Sequence, residues 1–165
     1  CIRDRLNLLA PLLYIQVSPE RLTVRNPKTG SSWSEVPEVA ISKARTLKIL
    51  AIGAEARLHS ATEGVQIVNP FGHPRTMVGD FTAGEALLRL AVQRVHPRHW
   101  WSSKPRVVLH LLGDPLGGFT QVELRAFREM AWGAGAVDVV MWLGAALTDV
   151  QLLKGDFPAV GKIVD

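Results

Sequence analysis

The chain has little that would support a disulfide, a metal centre or a membrane span. Its single cysteine among 165 residues is Cys1, which excludes an intrachain disulfide and a thiolate metal site. No apolar run approaches the roughly 18–20 residues of a membrane-spanning helix. None of the five histidines has metal-ligand spacing; they are His59, His73, His96, His99 and His110. His110 lies within an apolar run, so we expect it to pack in the core.

Charge and composition favour one globular α/β domain. The 19 Lys and Arg residues exceed the 15 Asp and Glu residues by a net charge of +4, and they are scattered, so no nucleic-acid partner is predicted. A hydrophobic content of 47% with 21% charged residues excludes a disordered chain.

Residues 120–136, TQVELRAFREMAWGAGA, contain the signals for both ends of a helix. Thr120 and Glu123 form a capping box at its start, and Gly133 and Gly135 favour its end. The apolar run VDVVMWL that follows predicts a buried strand. The apolar side of the helix is expected to comprise Val122, Ala126, Phe127, Met130 and Ala131.

The rest of the chain alternates predicted strands and helices. The pattern predicts strands at 13–17, 21–25, 36–41, 47–52, 106–112 and 160–164, and helices at 82–95 and 144–153. The first two strands form a hairpin around Ser18-Pro19-Glu20, and Thr82 with Glu85 predicts a second capping box. Residues 26–34 read as a loop and 53–80 as irregular. The alternation from residue 106 predicts right-handed crossovers and a mainly parallel sheet.

The 120–140 segment closely resembles the TxVERRAxRESAxGAGAREV segment of MreB, the bacterial actin homologue. SEVPEVAI, LAIGAEAR, DF at 80–81, KPRV at 104–107 and GKIVD at 161–165 resemble other MreB segments in the same order. The resemblance implies an α/β actin-like ATPase domain with a ribonuclease-H-like fold, its sheet mixed and mainly parallel with flanking helices. It also implies a membrane-anchoring segment at 1–12, domain I at 13–160 with a small subdomain near 53–80, and a strand at 161–165 leading to domain II.

ATP and Mg²⁺ are the cofactors that the resemblance implies, held between two halves by two glycine-bearing hairpins. The first hairpin departs from the family's IDLGT: Gln16 replaces the metal-side Asp, Ser18 replaces the Gly, and Pro19 has no N–H. The family's hydrolytic Glu aligns with the Trp142-Leu143-Gly144 segment, so no catalytic residue and no metal ligand are assigned. Gln16, Ser18 and Asp165 are the candidate nucleotide-contacting residues of a degenerate site.

The implied function is a filament-forming, cell-shape scaffold in the cytoplasm, peripheral at the inner face of the membrane. Its implied partners are further copies of itself, the anionic membrane surface and wall-synthesis proteins. An ATP-dependent enzyme of the actin, sugar kinase and chaperone ATPase superfamily stays open, as does a fragment with no activity alone. The superfamily fold alone allows such an enzyme.

Two surfaces are candidates for these contacts. Trp100 and Trp101 lie on a loop between a helix and a strand, where an exposed pair of indoles favours membrane contact. Arg98, Lys104 and Arg106 nearby are expected to meet anionic lipid. The alternative is that one of them folds back on the core. Arg125 and Arg128 are candidate filament-contact residues, on a helix face expected to point outward together with Glu123 and Glu129. The alternative is a solvated charged face.

Overall fold

Residues 10–43, 46–99, 102–113, 115 and 117–164 are described by the computed structural model, and within them nine strands form two sheets. The strands are β1 Leu12–Val17, β2 Leu22–Arg25, β3 Ser32–Glu35, β4 Val39–Ser42, β5 Lys48–Ile52, β6 Val65–Val68, β7 Arg106–Leu111, β8 Asp138–Leu143 and β9 Lys162–Val164. The large sheet has the order β3-β2-β1-β7-β8-β9, and the small one the order β5-β4-β6.

The centre of the large sheet is parallel and its edges are antiparallel. β1 pairs with β7 and β7 with β8 in parallel, whereas β2, β3 and β9 join by antiparallel pairing. β1 and β7 are almost continuously apolar because both faces of the sheet are covered. The hairpin prediction for β1 and β2 is confirmed. The last connection differs from a parallel crossover: β9 runs antiparallel to β8, and the connection at 144–161 contains one helix of six residues.

Three α-helices pack on this sheet in the described part of the chain: α1 Phe81–Val95, α2 Gln121–Gly133 and α3 Asp149–Lys154. α1 and α2 cover one face and enclose the larger core, which includes Ile15, Leu87 and Phe127. The opposite face carries a smaller core of six buried residues: Leu12, Tyr14, Val108, Trp142, Leu147 and Leu152. The large sheet therefore separates the two cores, and each core lies between one face of the sheet and the segments that cover that face.

Side-chain hydrogen bonds at the N-caps determine where α1 and α2 begin. The capping box of α2 is confirmed: the Thr120 side chain accepts from the Glu123 N–H, and Glu123 reaches back to the Thr120 N–H. The box predicted for α1 at Thr82 is wrong. Asp80 is the N-cap and accepts a hydrogen bond from the Ala83 N–H at 2.9 Å, which starts the helix one residue earlier.

The apolar side of α2 was predicted only in part. Phe127, Met130 and Ala131 are buried as expected, but Val122 is 77% exposed and Leu124 is buried instead. The reason is helical period: Leu124 lies three residues before Phe127, so it shares that face, whereas Val122 lies on the far side.

Three stretches have more structure, or less, than the sequence predicts. The 26–34 loop ends in β3, and the irregular 53–80 stretch contains a 3₁₀ helix at Gly53–His59 as well as β6. The helix predicted at 144–153 is confined to α3, which starts at its own capping box of Thr148 and Gln151. No helix in the described ranges has both the length and the apolarity to span a bilayer.

His110 is confirmed as a core residue. Its side chain is 1% exposed, and the Tyr14 hydroxyl donates to His110 Nδ1 over 2.6 Å. His110 Nε2 donates to the Gly144 carbonyl over 2.9 Å, and the Leu147 N–H donates to the Tyr14 oxygen over 3.1 Å. This chain of bonds is complete only when His110 is neutral, because a second ring proton would displace the tyrosine proton. Burial lowers the pKa of His110, although the bond to Gly144 opposes it.

The first prediction concerns stability against pH. A lowered folded-state pKa means that the stability contributed by His110 is present above the unfolded pKa of about 6.5 and is lost as pH falls below it. We expect the free energy of unfolding to fall below pH 6.5 by up to about 1.4 kcal/mol per pH unit. H110Q should remove most of this slope in urea titrations, whereas H73Q, at an exposed histidine, should retain it. Equal slopes for the wild type and H110Q would contradict the assignment.

Candidate functional site

The carboxyl ends of β1, β7 and β8 lie at one edge of the large sheet, where parallel α/β folds place their ligand sites. A cavity of about 790 Å³ opens at this edge. It is lined by the β1–β2 turn at 18–20, by residues 71–77 and by described residues of the connection between β7 and α2. We call this space the edge cavity.

The β1–β2 turn uses its own hydrogen-bonding groups. The Ser18 N–H donates to the Arg21 carbonyl over 3.0 Å. Ser18 Oγ accepts from the Glu20 N–H at 3.3 Å and from the Arg21 N–H at 3.0 Å. Pro19 has no N–H. Every N–H of residues 18–21 is therefore engaged inside the turn, and a phosphate needs such groups to be available.

Neither Gln16, near the end of β1, nor Trp142, near the end of β8, supplies a carboxylate to this edge. Gln16 is half-buried near the end of β1, in register with His110 of β7. Trp142 stands near the end of β8, fully buried, and its Nε1–H donates to the Ala145 carbonyl over 2.8 Å. Its ring packs on Phe157 with centroids 5.5 Å apart, and a Cβ at Gly161 would overlap it. Trp142 is thus a packing residue.

The predicted nucleotide contacts are placed only in part. Gln16 and Ser18 both lie at the carboxyl end of β1, next to the edge cavity in the case of Ser18. Asp165 lies outside the described residues. Within the described ranges, no group of three or more His, Cys, Asp or Glu side chains is arranged to hold a metal ion.

A loop at 69–80 borders the edge cavity, and we call it the cleft loop. Asn69 Nδ2 donates to the Pro19 carbonyl over 2.8 Å, which ties the loop to the β1–β2 turn. The Pro70 carbonyl accepts from the Gly79 N–H at 2.7 Å, which brings the two ends of the loop together. Phe71 is fully buried against Phe127, with ring centroids 5.5 Å apart. Sequence reasoning missed this loop because its partners are distant in the chain.

Glu123 is the most heavily bonded side chain at this edge. Its Oε1 accepts from Thr76 Oγ1 and from the Met77 N–H, both at 2.9 Å. Its Oε2 accepts from the Thr120 N–H at 2.9 Å and from Thr120 Oγ1 at 2.8 Å. Burial raises the pKa of Glu123, but these four bonds outweigh it and lower the pKa to about 2. The prediction that Glu123 points outward is wrong, because the cleft loop brings it two further donors.

The two arginines predicted on that face differ in their placement. Arg125 is 83% exposed and lies 3.9 Å from Glu129, as the predicted charged face requires. Arg128 instead donates to the Val164 carbonyl over 2.9 Å, so it reaches β9 and is partly buried. Its outward placement was wrong because the side chain bonds to the Val164 carbonyl of β9, a contact that the sequence did not indicate.

The candidate membrane-contact residues, Trp100 and Trp101, lie outside the described residues. Arg98 and Lys104 nearby are exposed. Arg106, which we expected to meet anionic lipid with them, is only 7% exposed, and burial lowers its pKa. That expectation is wrong because Arg106 is the first residue of β7 and is buried there.

Comparison with known proteins places this architecture. The sequence profile of the MreB/Mbl protein family matches residues 24–147, which is most of the chain. The chain belongs to the MreB/Mbl family. Cell shape-determining protein MreB of Haemophilus influenzae is 35% identical over 132 residues, 78% of this chain and 36% of that protein. Its counterpart from Pasteurella multocida is 33% identical over 117 residues, 68% of this chain and 32% of that protein. The chain thus spans about a third of the length of these MreB relatives.

Solved structures give the fold. MreB5 of Spiroplasma citri bound to AMPPNP superimposes with a TM-score of 0.63 at 19% identity, covering 81% of this chain and 38% of that one. A MamK double helical filament gives a TM-score of 0.59 at 11% identity, covering 81% of this chain and 41% of that one. The predicted actin-like α/β fold is confirmed, and so is the resemblance to MreB.

The second prediction concerns Glu123. E123Q keeps the shape but leaves one oxygen in place of two, so one pair of donors loses its acceptor. We expect the free energy of unfolding at pH 7 to fall by about 1–3 kcal/mol. Because the folded pKa is lowered, the stability contributed by Glu123 is present above an unfolded pKa of about 4.3 and is lost as pH falls toward 2.

Urea titrations at pH 7 and pH 3 measure this effect. The difference between E123Q and the wild type should shrink at pH 3, and E129Q, at a carboxylate on the exposed face of α2, should change little at either pH. A loss in the free energy of unfolding that is as large for E129Q as for E123Q, or no loss for E123Q, would rule out the special role of Glu123.

Proposed function

We propose that this chain is part of an MreB-type filament protein that supports cell shape at the inner face of the cytoplasmic membrane. The observation that carries the proposal is the family match over residues 24–147 on an actin-like fold. Two relatives are named as cell shape-determining proteins, and one structural neighbour is a double helical filament. Copies of the same chain are then the main partner, with wall-synthesis proteins as further partners and no nucleic acid.

We infer that the nucleotide site of this chain is degenerate. Two MreB5 structures are bound to AMPPNP or ADP, which supports a nucleotide as the expected ligand, and Mg²⁺ is implied only by the resemblance to the family. The residues present here do not fit them. The N–H groups of the β1–β2 turn are engaged internally, Gln16 offers no charge to a metal ion, and Trp142 is committed to packing. A phosphate at this edge would replace satisfied bonds instead of filling open ones.

The third prediction follows from that inference. Calorimetric titration of this chain with ATP–Mg²⁺ should give no saturable heat up to about 1 mM, which corresponds to less than roughly 4 kcal/mol of binding free energy. Restoring the family residues with Q16D, S18G and P19T should not create binding in this chain alone, because phosphates need both walls. A micromolar dissociation constant for the wild type would overturn the degenerate site.

The fourth prediction tests filament formation. We propose Arg125 and Arg128 as contacts between paired filaments, and R125E is the cleaner test because Arg128 also holds β9. The full-length protein should form paired filaments in electron micrographs, and R125E should leave single ones. R94E is the matched control: it reverses another exposed helix arginine with one acidic neighbour, Glu55 at 3.4 Å. Pairs that persist in R125E would sink the contact, and a protein that never assembles would sink the filament proposal.

The fifth prediction concerns the membrane. We propose that Trp100 and Trp101 enter the headgroup region, with exposed Arg98 and Lys104 beside them contributing roughly 1 kcal/mol each on anionic lipid. The segment before β1, of which residues 1–9 lie outside the described ranges, is proposed as a second anchor; its predicted limit at residue 12 is wrong, because Leu12 is buried in β1. Vesicles containing anionic lipid should bind the chain with a blue shift of tryptophan fluorescence.

The double variant W100S/W101S should lose this vesicle binding while it stays folded. W132S is the matched control, since Trp132 is 46% exposed and belongs to α2, outside that loop in the sequence. Vesicle binding by the double variant at the wild-type level would exclude the loop as the anchor.

A further inference from the structure

The cleft loop, residues 69–80, is fixed on two sides by side chains of the protein itself. On one side Asn69 donates to the Pro19 carbonyl over 2.8 Å, and its Oδ1 accepts from the Phe71 N–H at 3.0 Å. On the other side Thr76 and Met77 both donate to Glu123 at the start of α2. The loop therefore bridges the β1–β2 turn and α2 across one side of the edge cavity.

The loop is also anchored in the core. Phe71 is fully buried and contacts Phe127 of α2. A Cβ added at Gly84 of α1 would lie 3.2 Å from the Phe71 ring and 3.0 Å from Met130 Sδ, so α1 lies against this ring at close range. The base of the loop is held by packing, and its tip is held by Oε1 of Glu123, while Oε2 bonds to Thr120.

The Glu123 carboxylate lies where an anion is expected to bind. Four donors converge on it, and two of them are backbone N–H groups, from Met77 and Thr120. It also lies at the N-terminal end of α2, where the helix dipole stabilises negative charge. Loops that respond to phosphate become ordered because the phosphate accepts such bonds. Here a carboxylate of the chain already accepts them.

We propose that Glu123 is a built-in anion that latches the cleft loop onto α2, so that this wall of the edge cavity keeps one conformation whether or not nucleotide is present. This inference deepens the proposed function and rests on it. The cleft loop lies beside a degenerate nucleotide site, and it is ordered by a side chain of the protein, so its conformation does not depend on a bound ligand. Thr76 adds a second bond to the latch, because its Oγ1 accepts from the Val78 N–H at 3.3 Å while donating to Glu123.

Residue-resolved amide hydrogen exchange on this chain tests the latch directly. Without nucleotide, the Met77 and Thr120 amides should be protected, and about 1 mM ATP–Mg²⁺ should leave their exchange rates unchanged within twofold. E123A should speed exchange at Met77 by about tenfold or more, the effect of losing one bond to a charged acceptor. E129A is the matched control, since Glu129 is an exposed carboxylate on the same helix, and it should not change Met77.

Three results would overturn the latch: free exchange at Met77 without nucleotide, protection that appears only with ATP–Mg²⁺, or an unchanged Met77 in a folded E123A. Protection of Leu109 in the buried strand β7 reports whether a variant is folded. If E123A unfolds, T76V decides, because it removes one donor and leaves the helix cap intact; it must then speed exchange at Val78 and Met77. Exchange is measured without filaments, so a failure of assembly in the micrographs leaves this result independent.

Discussion

The parallel pairing of β1 with β7 positions both the edge cavity and the buried hydrogen bond between Tyr14 and His110. Its register places Leu12 opposite Arg106 and Val17 opposite Leu111, so the two strands end at the same level. The turn after β1 and the connection after β7 therefore open on one cavity. The same register places Tyr14 and His110 on the face of the sheet that carries the smaller core, where the two form a buried hydrogen bond. A shift of one residue would exchange the two faces and break both arrangements.

Three polar side chains at the carboxyl edge of this sheet bond to neighbouring segments of the chain. Ser18 closes the β1–β2 turn, Asn69 ties the cleft loop to that turn, and Glu123 ties the loop to α2. An edge built to bind an anion keeps donors available for it, at a cost in the free protein. The donors of the β1–β2 turn are already engaged in this chain, which is consistent with the proposed degenerate nucleotide site.

Local signals made part of the fold predictable from the sequence. The capping box and glycines of α2 lie within seventeen residues of one another, and so do the two strands of the first hairpin. Features set by distant partners were not predictable. Asn69 meets Pro19 across 50 residues of sequence and Thr76 meets Glu123 across 47, so neither the cleft loop nor the inward Glu123 could be inferred. The direction of β9 was missed because an alternation of strands and helices does not fix whether the last strand pairs parallel or antiparallel, and β9 pairs antiparallel with β8.

The most direct test of the account is the environment of the amides in the β1–β2 turn. The central claim is that the N–H groups of Ser18, Glu20 and Arg21 are engaged within the turn. In nitrogen-15 correlation spectra, these three amide signals should stay in place as ATP–Mg²⁺ or inorganic triphosphate is added. Saturable shifts of the same three signals would contradict the claim, because they would mean that the turn opens and gives its donors to phosphate.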